Sequence, residues 1–315
     1  MGGVRLVSIG AAVFALGVST VGLVATVLIG ILFFVALVSL LIYHQEHVLY
    51  IPVVMGYKTV SDNPEGYRSP SEWGVEHTEF TIPTRDKESI HGWYIVGESP
   101  IATVIFCHEN AGNIGLRVNN LVAMCRHLNV NVVAFDYRGY GSSSGTPSEK
   151  GLMIDTETVF NHVVETYKPK NLFIYGRSLG GAVALQFASK CESLLLKGVV
   201  AENTFTSISA MVGSLFPFLN LGIVKKYFLR LKWETDQVMD KIKCPLLLIS
   251  GLKDELVPPS HMAELHKKCL VHNLRVKFLP VPKGMHNDTW VVGGQDYWNQ
   301  QRSFVQENIT PPSLK

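Results

Sequence analysis

The hydrophobic pattern of the chain begins with a long run that carries no charge. Leu6 to Tyr43 contains 38 residues without Asp, Glu, Lys or Arg. Because about 20 apolar residues in a helix span the hydrocarbon core of a bilayer, we predict a membrane anchor at residues 1–43 with its main span at about Val21 to Ile42. A helical hairpin that breaks between Gly17 and Gly22 is the alternative, but its turn would expose polar backbone to lipid.

The charges that flank this run favour one orientation. Arg5 and the α-amino group lie before it, whereas Glu46 and neutral histidines follow it and the next lysine is Lys58. Positive charge is enriched on the cytoplasmic side of membrane proteins. We therefore predict a single-pass type II protein with a cytoplasmic N-terminus and its C-terminal domain on the other side.

Beyond the anchor, apolar runs alternate with helix-length stretches. Two short runs predict an antiparallel pair of strands at Val75–Ile82 and Ile90–Val96. Six solid apolar runs, typical of strands buried on both faces, follow at Ala102–Cys107, Val130–Phe135, Asn171–Tyr175, Gly198–Ala201, Pro245–Ser250 and Leu274–Leu279. Helices are predicted at Leu116–Leu128, Ser148–Tyr167, Gly181–Lys190, Ser260–Cys269 and Gln295–Glu307. This alternation predicts a doubly wound, mostly parallel α/β sheet.

Two stretches do not fit the alternation. Residues 44–74 are punctuated by Pro, Gly and Ser, which predicts a linker before a catalytic domain at 75–315. Residues 204–241 contain no strand-like run and are rich in aromatic residues, which predicts a small helical cap over the sheet. Its aromatic side chains could form an apolar wall for an acyl chain or could pack the cap onto the core.

Composition excludes several classes of function. The net charge of +2, without a Lys/Arg-rich block, indicates no nucleic-acid partner. The five cysteines are scattered and lack the spacing of a metal site or a disulfide framework. The chain has no zinc-protease, P-loop or dinucleotide-binding motif. We therefore predict no metal and no cofactor, and the sequence predicts no oligomeric state.

A candidate nucleophile lies between a predicted strand and a predicted helix. Gly176-Arg177-Ser178-Leu179-Gly180 matches the G-x-S-x-G pattern of a nucleophile elbow. The sharp turn strains the serine backbone and needs small residues two positions to either side. Ser178 is therefore predicted to project its hydroxyl from the tip of the turn.

A serine hydroxyl needs a base, and the base needs a carboxylate that orients it. Asp254 follows the predicted strand Pro245–Ser250 directly and is the predicted acid, with Glu255 as its rival. His286 follows the last predicted strand and is the predicted base. The order Ser, acid, His is the one that α/β-hydrolase chemistry uses.

An oxyanion needs backbone donors. The N–H of Leu179, directly after the nucleophile, is one predicted donor. Asn110, in the loop after the strand Ala102–Cys107, is the other.

Six segments occur in order at suitable spacing: His108–Asn113, Asp136–Gly141, Gly176–Gly181, Glu202–Phe205, Ser250–Pro259 and His286–Trp290. Together they resemble the α/β-hydrolase superfamily, and within it the membrane-anchored serine hydrolases of the alpha/beta hydrolase domain-containing protein 13 type. The resemblance implies an eight-stranded sheet, a Ser178–Asp254–His286 triad and hydrolysis of an ester, thioester or amide. It does not imply a particular substrate.

The chain departs from this pattern at one position. The oxyanion loop of the family usually reads His-Gly-Asn, whereas this chain has Glu109 between His108 and Asn110. A carboxylate that faces the oxyanion would oppose catalysis. One that points to solvent, to Arg177 or to Arg117 would change little. We hypothesise that Glu109 is tolerated but slows turnover.

Three functions follow from these features. The first is a membrane-anchored serine hydrolase that contacts the bilayer through its N-terminal helix and cleaves a lipid or acyl substrate. The second is a catalytically silent scaffold, which only Glu109 supports. The third is a peptidase, which would need a deeper cap or an extra domain to recruit a chain end.

Overall fold

The computed structural model describes residues 3–215, 222 and 229–309. Two compact units divide the chain between Val48 and Leu49. The first unit contains helix α1, Gly3–Tyr43, and most of the short helix α2, Gln45–Leu49. The second contains the sheet and the remaining elements.

Helix α1 runs through the apolar segment without a break. Its 41 residues correspond to a length of about 60 Å at 1.5 Å per residue. Within it, Gly22–Leu40 has a mean hydropathy of 2.9 and is long and apolar enough to cross a membrane. The helix continues through residues 17–22, so the structure does not adopt the hairpin alternative. A continuous helix satisfies its own backbone hydrogen bonds, which a turn in lipid could not do.

The second unit is built on one eight-stranded sheet. Its strands are β1 His77–Pro83, β2 Ser89–Ile95, β3 Ala102–Cys107, β4 Val130–Phe135, β5 Leu172–Arg177, β6 Leu196–Glu202, β7 Leu246–Gly251 and β8 Val276–Val281. Their spatial order is β1-β2-β4-β3-β5-β6-β7-β8. Strand β2 is antiparallel to both of its neighbours, β1 and β4, and all the other pairs are parallel. This is the predicted architecture, and every predicted strand is present.

Helices cover both faces of the sheet. They are α3 Val118–Leu128, α4 Glu149–Tyr167, α5 Leu179–Ala188, α6 Ile208–Leu215, α7 Ser260–Val271, α8 Thr289–Val292 and α9 Gly294–Ile309. Because side chains alternate along a strand, Ile105 of β3 lies in one buried cluster and Phe106 in the other. The first cluster includes apolar side chains of α4, α5 and α7, and the second includes those of α3 and α9. Polar side chains cap helix ends: Ser148, for example, accepts the Gly151 N–H at the start of α4.

The structure corrects the predicted linker at 44–74. From Leu49 onward this stretch belongs to the unit that contains the sheet. Tyr50 is buried, and Asn63 exchanges side-chain hydrogen bonds of 2.8 and 3.0 Å with Asn113. Short 3-10 turns at Val60–Asp62 and Pro70–Trp73 give it further local order. Its Pro and Gly residues therefore shape a packed segment, not a free connection.

The predicted cap at 204–241 is described in part. It contains α6 and the 3-10 turns Thr235–Gln237 and Met239–Lys241. Phe205 and Trp233 are buried in the core cluster, and Trp233 Nε1 donates to the Tyr50 hydroxyl at 3.1 Å. These two aromatic residues pack this stretch onto the core. The other candidates for an apolar wall lie outside the described residues: Phe216, Phe218, Tyr227 and Phe228.

Candidate active site

Ser178 occupies a strained turn between β5 and α5. Its φ of 54° and ψ of −121° are unusual for a residue with a side chain. The Ser178 N–H donates to the Glu202 carbonyl of β6 at 2.9 Å, and the Thr204 hydroxyl donates to the Ser178 carbonyl at 2.7 Å. The backbone of this turn is therefore fixed from the neighbouring strand.

Two glycines make the turn sterically feasible. A Cβ atom on Gly176 would lie 1.9 Å from the Gly180 carbonyl oxygen, and one on Gly180 would lie 1.9 Å from the Cys107 carbonyl oxygen. Both distances are far below a van der Waals contact. The glycines of the G-x-S-x-G pattern are therefore required by close backbone approach on both sides of Ser178.

His286 and Asp254 meet at the same edge of the sheet. Asp254 follows β7 and His286 follows β8. The imidazole Nδ1 lies 2.8 Å from Asp254 Oδ2, and both side chains are almost fully buried. The other carboxylate oxygen, Oδ1, accepts the N–H groups of Leu256 and Val257 at 2.9 and 2.8 Å. Asp254 is thereby oriented toward the imidazole by its own loop.

The rival acid, Glu255, has a different contact. Its Oε2 accepts the backbone N–H of His286 at 3.1 Å and is not paired with the imidazole. Glu255 therefore supports the loop of His286, while Asp254 contacts the ring.

Ser178 reaches this edge because β5, β7 and β8 are parallel strands of one sheet. Within the described residues, no hydrogen bond joins Ser178 Oγ to the imidazole of His286. In free enzymes this contact is often long and shortens when substrate binds. The structure thus brings the three predicted residues to one edge, with the His286–Asp254 contact formed.

Asn203 ties the loops of this edge together. Its Oδ1 accepts the Gly251 N–H at 2.7 Å, and its Nδ2 donates to the carbonyls of His286 and Met285 at 3.0 and 3.2 Å. Its φ is 47°, a conformation that Asn tolerates better than most residues. Sequence reasoning assigned Asn203 no role, although its place directly after a strand was a usable signal.

The predicted oxyanion donors are the N–H groups of Leu179 and Asn110. Leu179 is the first residue of α5, where amide groups have no partner within the helix. The Asn110 side chain donates to the Leu49 carbonyl at 2.5 Å, and its own carbonyl accepts from Ile51 N–H at 3.1 Å and from the Tyr140 hydroxyl at 2.7 Å. Among the described residues its backbone N–H has no partner. The side-chain amide of Asn110 is therefore occupied, and its backbone N–H is the group that fits the predicted oxyanion donor.

Glu109 turns out to be part of a buried ion-pair network. Its carboxylate contacts Arg117 Nε at 3.0 Å and Arg177 Nη1 at 3.1 Å. Burial alone would raise the pKa of this carboxyl, but the charges of Arg117 and Arg177 outweigh burial and lower it well below its usual range. The carboxylate stays charged and is neutralised by two guanidinium groups. Of the orientations that the sequence left open, the structure shows the one toward the arginines.

The network continues beneath the nucleophile. Arg177 Nη2 donates to Glu202 Oε2 and to Asn120 Oδ1, both at 3.2 Å. Glu202 is fully buried and also accepts hydrogen bonds from three hydroxyl groups, those of Tyr175, Tyr297 and Thr289. Burial, with smaller contributions from the negative charges of Glu109 and Asp254, raises the pKa of the Glu202 carboxyl to about 8. A hydrophobicity pattern gives no signal for such a network.

Arg138 is a structural residue. It is buried and pairs with Asp155 at 2.8 Å and with Asp86 at 2.7 Å. Both carboxylates occupy its guanidinium, so Arg138 pins the loop after β4 and is not free to bind an anionic substrate.

Comparison with known proteins shows the family of the chain. Residues 98–239 match a protein-family model described as serine aminopeptidase, S33. The chain is similar to the alpha/beta hydrolase domain-containing protein WAV2 of Arabidopsis thaliana, with 34% identity over 87% of this chain and 91% of that protein. The chain belongs to the α/β-hydrolase family. Membership of this family supports a hydrolase function.

Two further similarities bear on this α/β hydrolase. The uncharacterized membrane protein YNL320W of Saccharomyces cerevisiae is 35% identical over 86% of this chain and 92% of its own length. The structure of the Pyrococcus furiosus esterase Pf2001 matches with a TM-score of 0.67 and 22% identity, over 83% of this chain and 98% of that chain. The second likeness shows the α/β-hydrolase fold, and the first is to a protein that is named as a membrane protein.

Proposed function

We propose that this α/β hydrolase is a membrane-anchored serine hydrolase that cleaves esters or thioesters through Ser178, His286 and Asp254. The observation that carries the proposal is the 2.8 Å contact between His286 Nδ1 and Asp254, at the sheet edge where Ser178 sits in its strained turn. A strained serine and a carboxylate-oriented imidazole are the two parts that nucleophilic acyl transfer needs.

The reaction follows from these positions. Ser178 Oγ attacks the acyl carbonyl carbon while His286 Nε2 takes the hydroxyl proton. Asp254 holds Nδ1–H and stabilises the imidazolium. The tetrahedral oxyanion accepts hydrogen bonds from the N–H groups of Leu179 and Asn110. The C–O or C–S bond of the substrate then breaks, and His286 donates its proton to the leaving group. Water releases the acyl group from Ser178 by the same steps in reverse roles.

We further propose that the substrate is a lipid or another acyl compound. The apolar helix α1, with Gly22–Leu40 as its candidate span, would hold the site close to acyl chains. An aminopeptidase, the class named by the matching family model, would need a carboxylate for the substrate's amino terminus. The charged carboxylate of Glu109 is already paired with Arg117 and Arg177, and Glu202, whose pKa is raised to about 8, carries a proton at neutral pH. This pairing favours acyl esters and thioesters over peptides.

The test uses the full chain in detergent and a fluorophosphonate probe, which labels activated serines. Wild type is expected to be labelled, and Ser178→Ala is expected to lose the label while it keeps a cooperative melt. Substrates are then compared: acyl esters and thioesters of increasing chain length against aminoacyl anilides. Faster cleavage of the anilides would overturn the acyl proposal in favour of an aminopeptidase.

The same experiment tests the silent-scaffold alternative. If the folded wild-type protein takes no label, the hydrolase proposal fails. The charge of Glu109 is neutralised by Arg117 and Arg177, so it gives little support to the hypothesis of a catalytically silent scaffold.

We also propose that α1 crosses the membrane once with its N-terminus in the cytoplasm, on the basis of Arg5 before the apolar run and Glu46 after it. Protease protection in sealed microsomes tests this. The catalytic domain is expected to be protected, and digestion without detergent would overturn the orientation.

A further inference from the structure

An uncharged hairpin precedes the catalytic sheet. Residues 51–57, here named the 51–57 hairpin, close through two backbone hydrogen bonds between Val54 and Tyr57, at 3.2 and 2.8 Å. Met55 and Gly56 form its tip and have φ values of 53° and 85°. From residue 48 to residue 57 the chain has no Asp, Glu, Lys or Arg.

The side chains of this hairpin are unusually exposed for apolar groups. Met55 is 88% exposed at the tip, and Ile51 and Val53 are 42% and 46% exposed. The tip position has a positive φ, which Gly or Asn would adopt at lower cost than Met. A large apolar side chain thus projects into solvent at a position where its backbone conformation is also unfavourable.

The hairpin is bonded to the candidate oxyanion loop. Ile51 N–H donates to the Asn110 carbonyl at 3.1 Å, and Gly112 N–H donates to the Ile51 carbonyl at 2.9 Å. Ile51 and Ala111 form an isolated parallel bridge. The 51–57 hairpin is therefore bonded to the loop that follows β3, at the sheet edge that carries Ser178.

Other apolar side chains are exposed on the loops of the acid and the base. Leu252 and Leu256 lie on either side of Asp254 and are 43% and 49% exposed, and Met285, next to His286, is 44% exposed. Together with the 51–57 hairpin they give the candidate site an apolar rim on loops from both halves of the sheet. Exposed apolar side chains grouped around a site are a feature of surfaces that bind an apolar partner.

The chain itself limits how far Ile51 can lie from the end of α1. Eight residue steps separate Tyr43, the last residue of α1, from Ile51. At 3.3–3.6 Å per residue they span at most about 29 Å along any path, and the helical turn Gln45–Leu49 shortens that reach. If α1 crosses the bilayer as proposed above, Ile51 lies within that distance of the end of the membrane helix.

We propose that the 51–57 hairpin docks on the bilayer that α1 crosses, with Met55 inserted at the boundary between headgroups and acyl chains. The rim of the site then faces lipid, so acyl substrates enter from the membrane and not from water. This inference rests on the proposed membrane anchoring and adds the surface through which substrate reaches the site. The uncharged, apolar tip fits the acyl boundary, where apolar side chains gain by leaving water.

The first test measures the depth of the tip in the full chain, reconstituted in phosphatidylcholine vesicles. Nitroxide labels are placed at Met55→Cys and at Leu194→Cys, in a Cys191→Ser/Cys244→Ser background, because the remaining cysteines are buried. Leu194 is a matched control: it is also 88% exposed but precedes β6, at the opposite edge of the sheet.

Collision with oxygen, which concentrates in lipid, is compared with collision with a water-soluble nickel chelate. The Met55 label is expected to favour oxygen and the Leu194 label to favour nickel. Equal nickel accessibility at the two positions, in protein that floats with the vesicles, would overturn the docking. Protein that does not float with vesicles would overturn the anchoring and the docking together.

The second test measures transfer of substrate from lipid. Met55→Asn removes the apolar group and keeps a residue that tolerates a positive φ. It is expected to slow hydrolysis of a long-chain ester embedded in vesicles by about fivefold or more, with less than about a twofold change for a short soluble ester. Leu194→Asn is expected to change neither rate. Equal rates for Met55→Asn and wild type on the embedded ester would refute lateral entry.

The two proposals fail in different ways. A Met55 label in lipid, with no fluorophosphonate labelling of Ser178, would retain the docking and reject the catalysis. Labelled Ser178, with Met55 in water, would retain the catalysis and reject the docking.

Discussion

Replacement of Glu109 by Gln tests the ion-pair network under the nucleophile. The substitution keeps the size of the side chain and removes the charge that Arg117 and Arg177 share. Arg177 is almost fully buried, so its charge cannot be compensated by water. Because Glu109 and Arg177 directly precede Asn110 and Ser178 in the chain, strain in this pair reaches the proposed oxyanion donor and the proposed nucleophile.

The structure sets the size of the effect. Removing one partner of a buried ion pair costs about 3–5 kcal/mol. Arg177 keeps Glu202 and Asn120 as partners, so the lower end, about 3 kcal/mol, is expected. At about 2 °C per kcal/mol for a domain of this size, the melting temperature should fall by about 6 °C. A small displacement of the oxyanion loop should slow fluorophosphonate labelling by about tenfold.

The assay is thermal unfolding of the full chain in detergent, together with the rate of labelling. Glu157→Gln is the matched control, because Glu157 pairs with Arg85 in an exposed ion pair, with 47% and 63% of the side chains accessible. Such pairs contribute at most about 1 kcal/mol, or about 2 °C. If Glu109→Gln melts within this range and is labelled as fast as wild type, the network has no positioning role. Faster labelling of Glu109→Gly would support the sequence-based hypothesis that this residue slows turnover.

Three further predictions concern the same edge of the sheet. Asn203→Ala removes the hydrogen bonds that hold the loop of His286. With a soluble ester as substrate, kcat should therefore fall by about tenfold or more with little change in KM. A change in KM alone would contradict a positioning role. Gly180→Ala would push a methyl group against the Cys107 carbonyl, so it should abolish both labelling and cooperative melting, and a labelled, stable variant would refute the close approach. Glu202 holds its proton in the folded state up to a pKa of about 8, whereas the unfolded chain releases it near its ordinary value, so its contribution to stability is lost as the pH rises from about 4.5 to about 8. Glu202→Gln should therefore flatten this part of the profile of melting temperature against pH, and an unchanged slope would contradict the raised pKa.

The sheet could be predicted from the sequence because its strands are buried on both faces. Solid apolar runs gave β3 and β4 their observed bounds, Ala102–Cys107 and Val130–Phe135. The observed ends of the other strands differ from the predicted ones by one or two residues, because turns and caps, and not hydrophobicity, determine where the hydrogen-bond ladder ends. The pentapeptide around Ser178 was predictable for a different reason: the backbone approaches Gly176 and Gly180 so closely that no larger residue fits there.

Polar contacts between residues far apart in the chain could not be predicted from the sequence. Asp254 and Glu255 are adjacent, and only the turn that binds Asp254 Oδ1 determines which carboxylate faces the imidazole. Glu109 could face the oxyanion or an arginine, and a partner 68 positions away decided between them. A composition rich in Pro and Gly, as in residues 44–74, occurs both in free linkers and in packed segments. The sequence around Ile51 therefore did not predict its hydrogen bonds to the loop after β3.

These contacts also dictate how the catalytic unit can be shortened for soluble expression. A chain cut at residue 75, the boundary that composition suggests, would lack the Leu49 carbonyl that binds Asn110 and the Asn63 amide that binds Asn113. Its sheet would be intact, yet the loop that carries the proposed oxyanion donor would lose the hydrogen bonds of residues 49–63. A truncated chain that is meant to retain activity should therefore begin at or before Leu49, and it then keeps the exposed apolar side chains of the 51–57 hairpin.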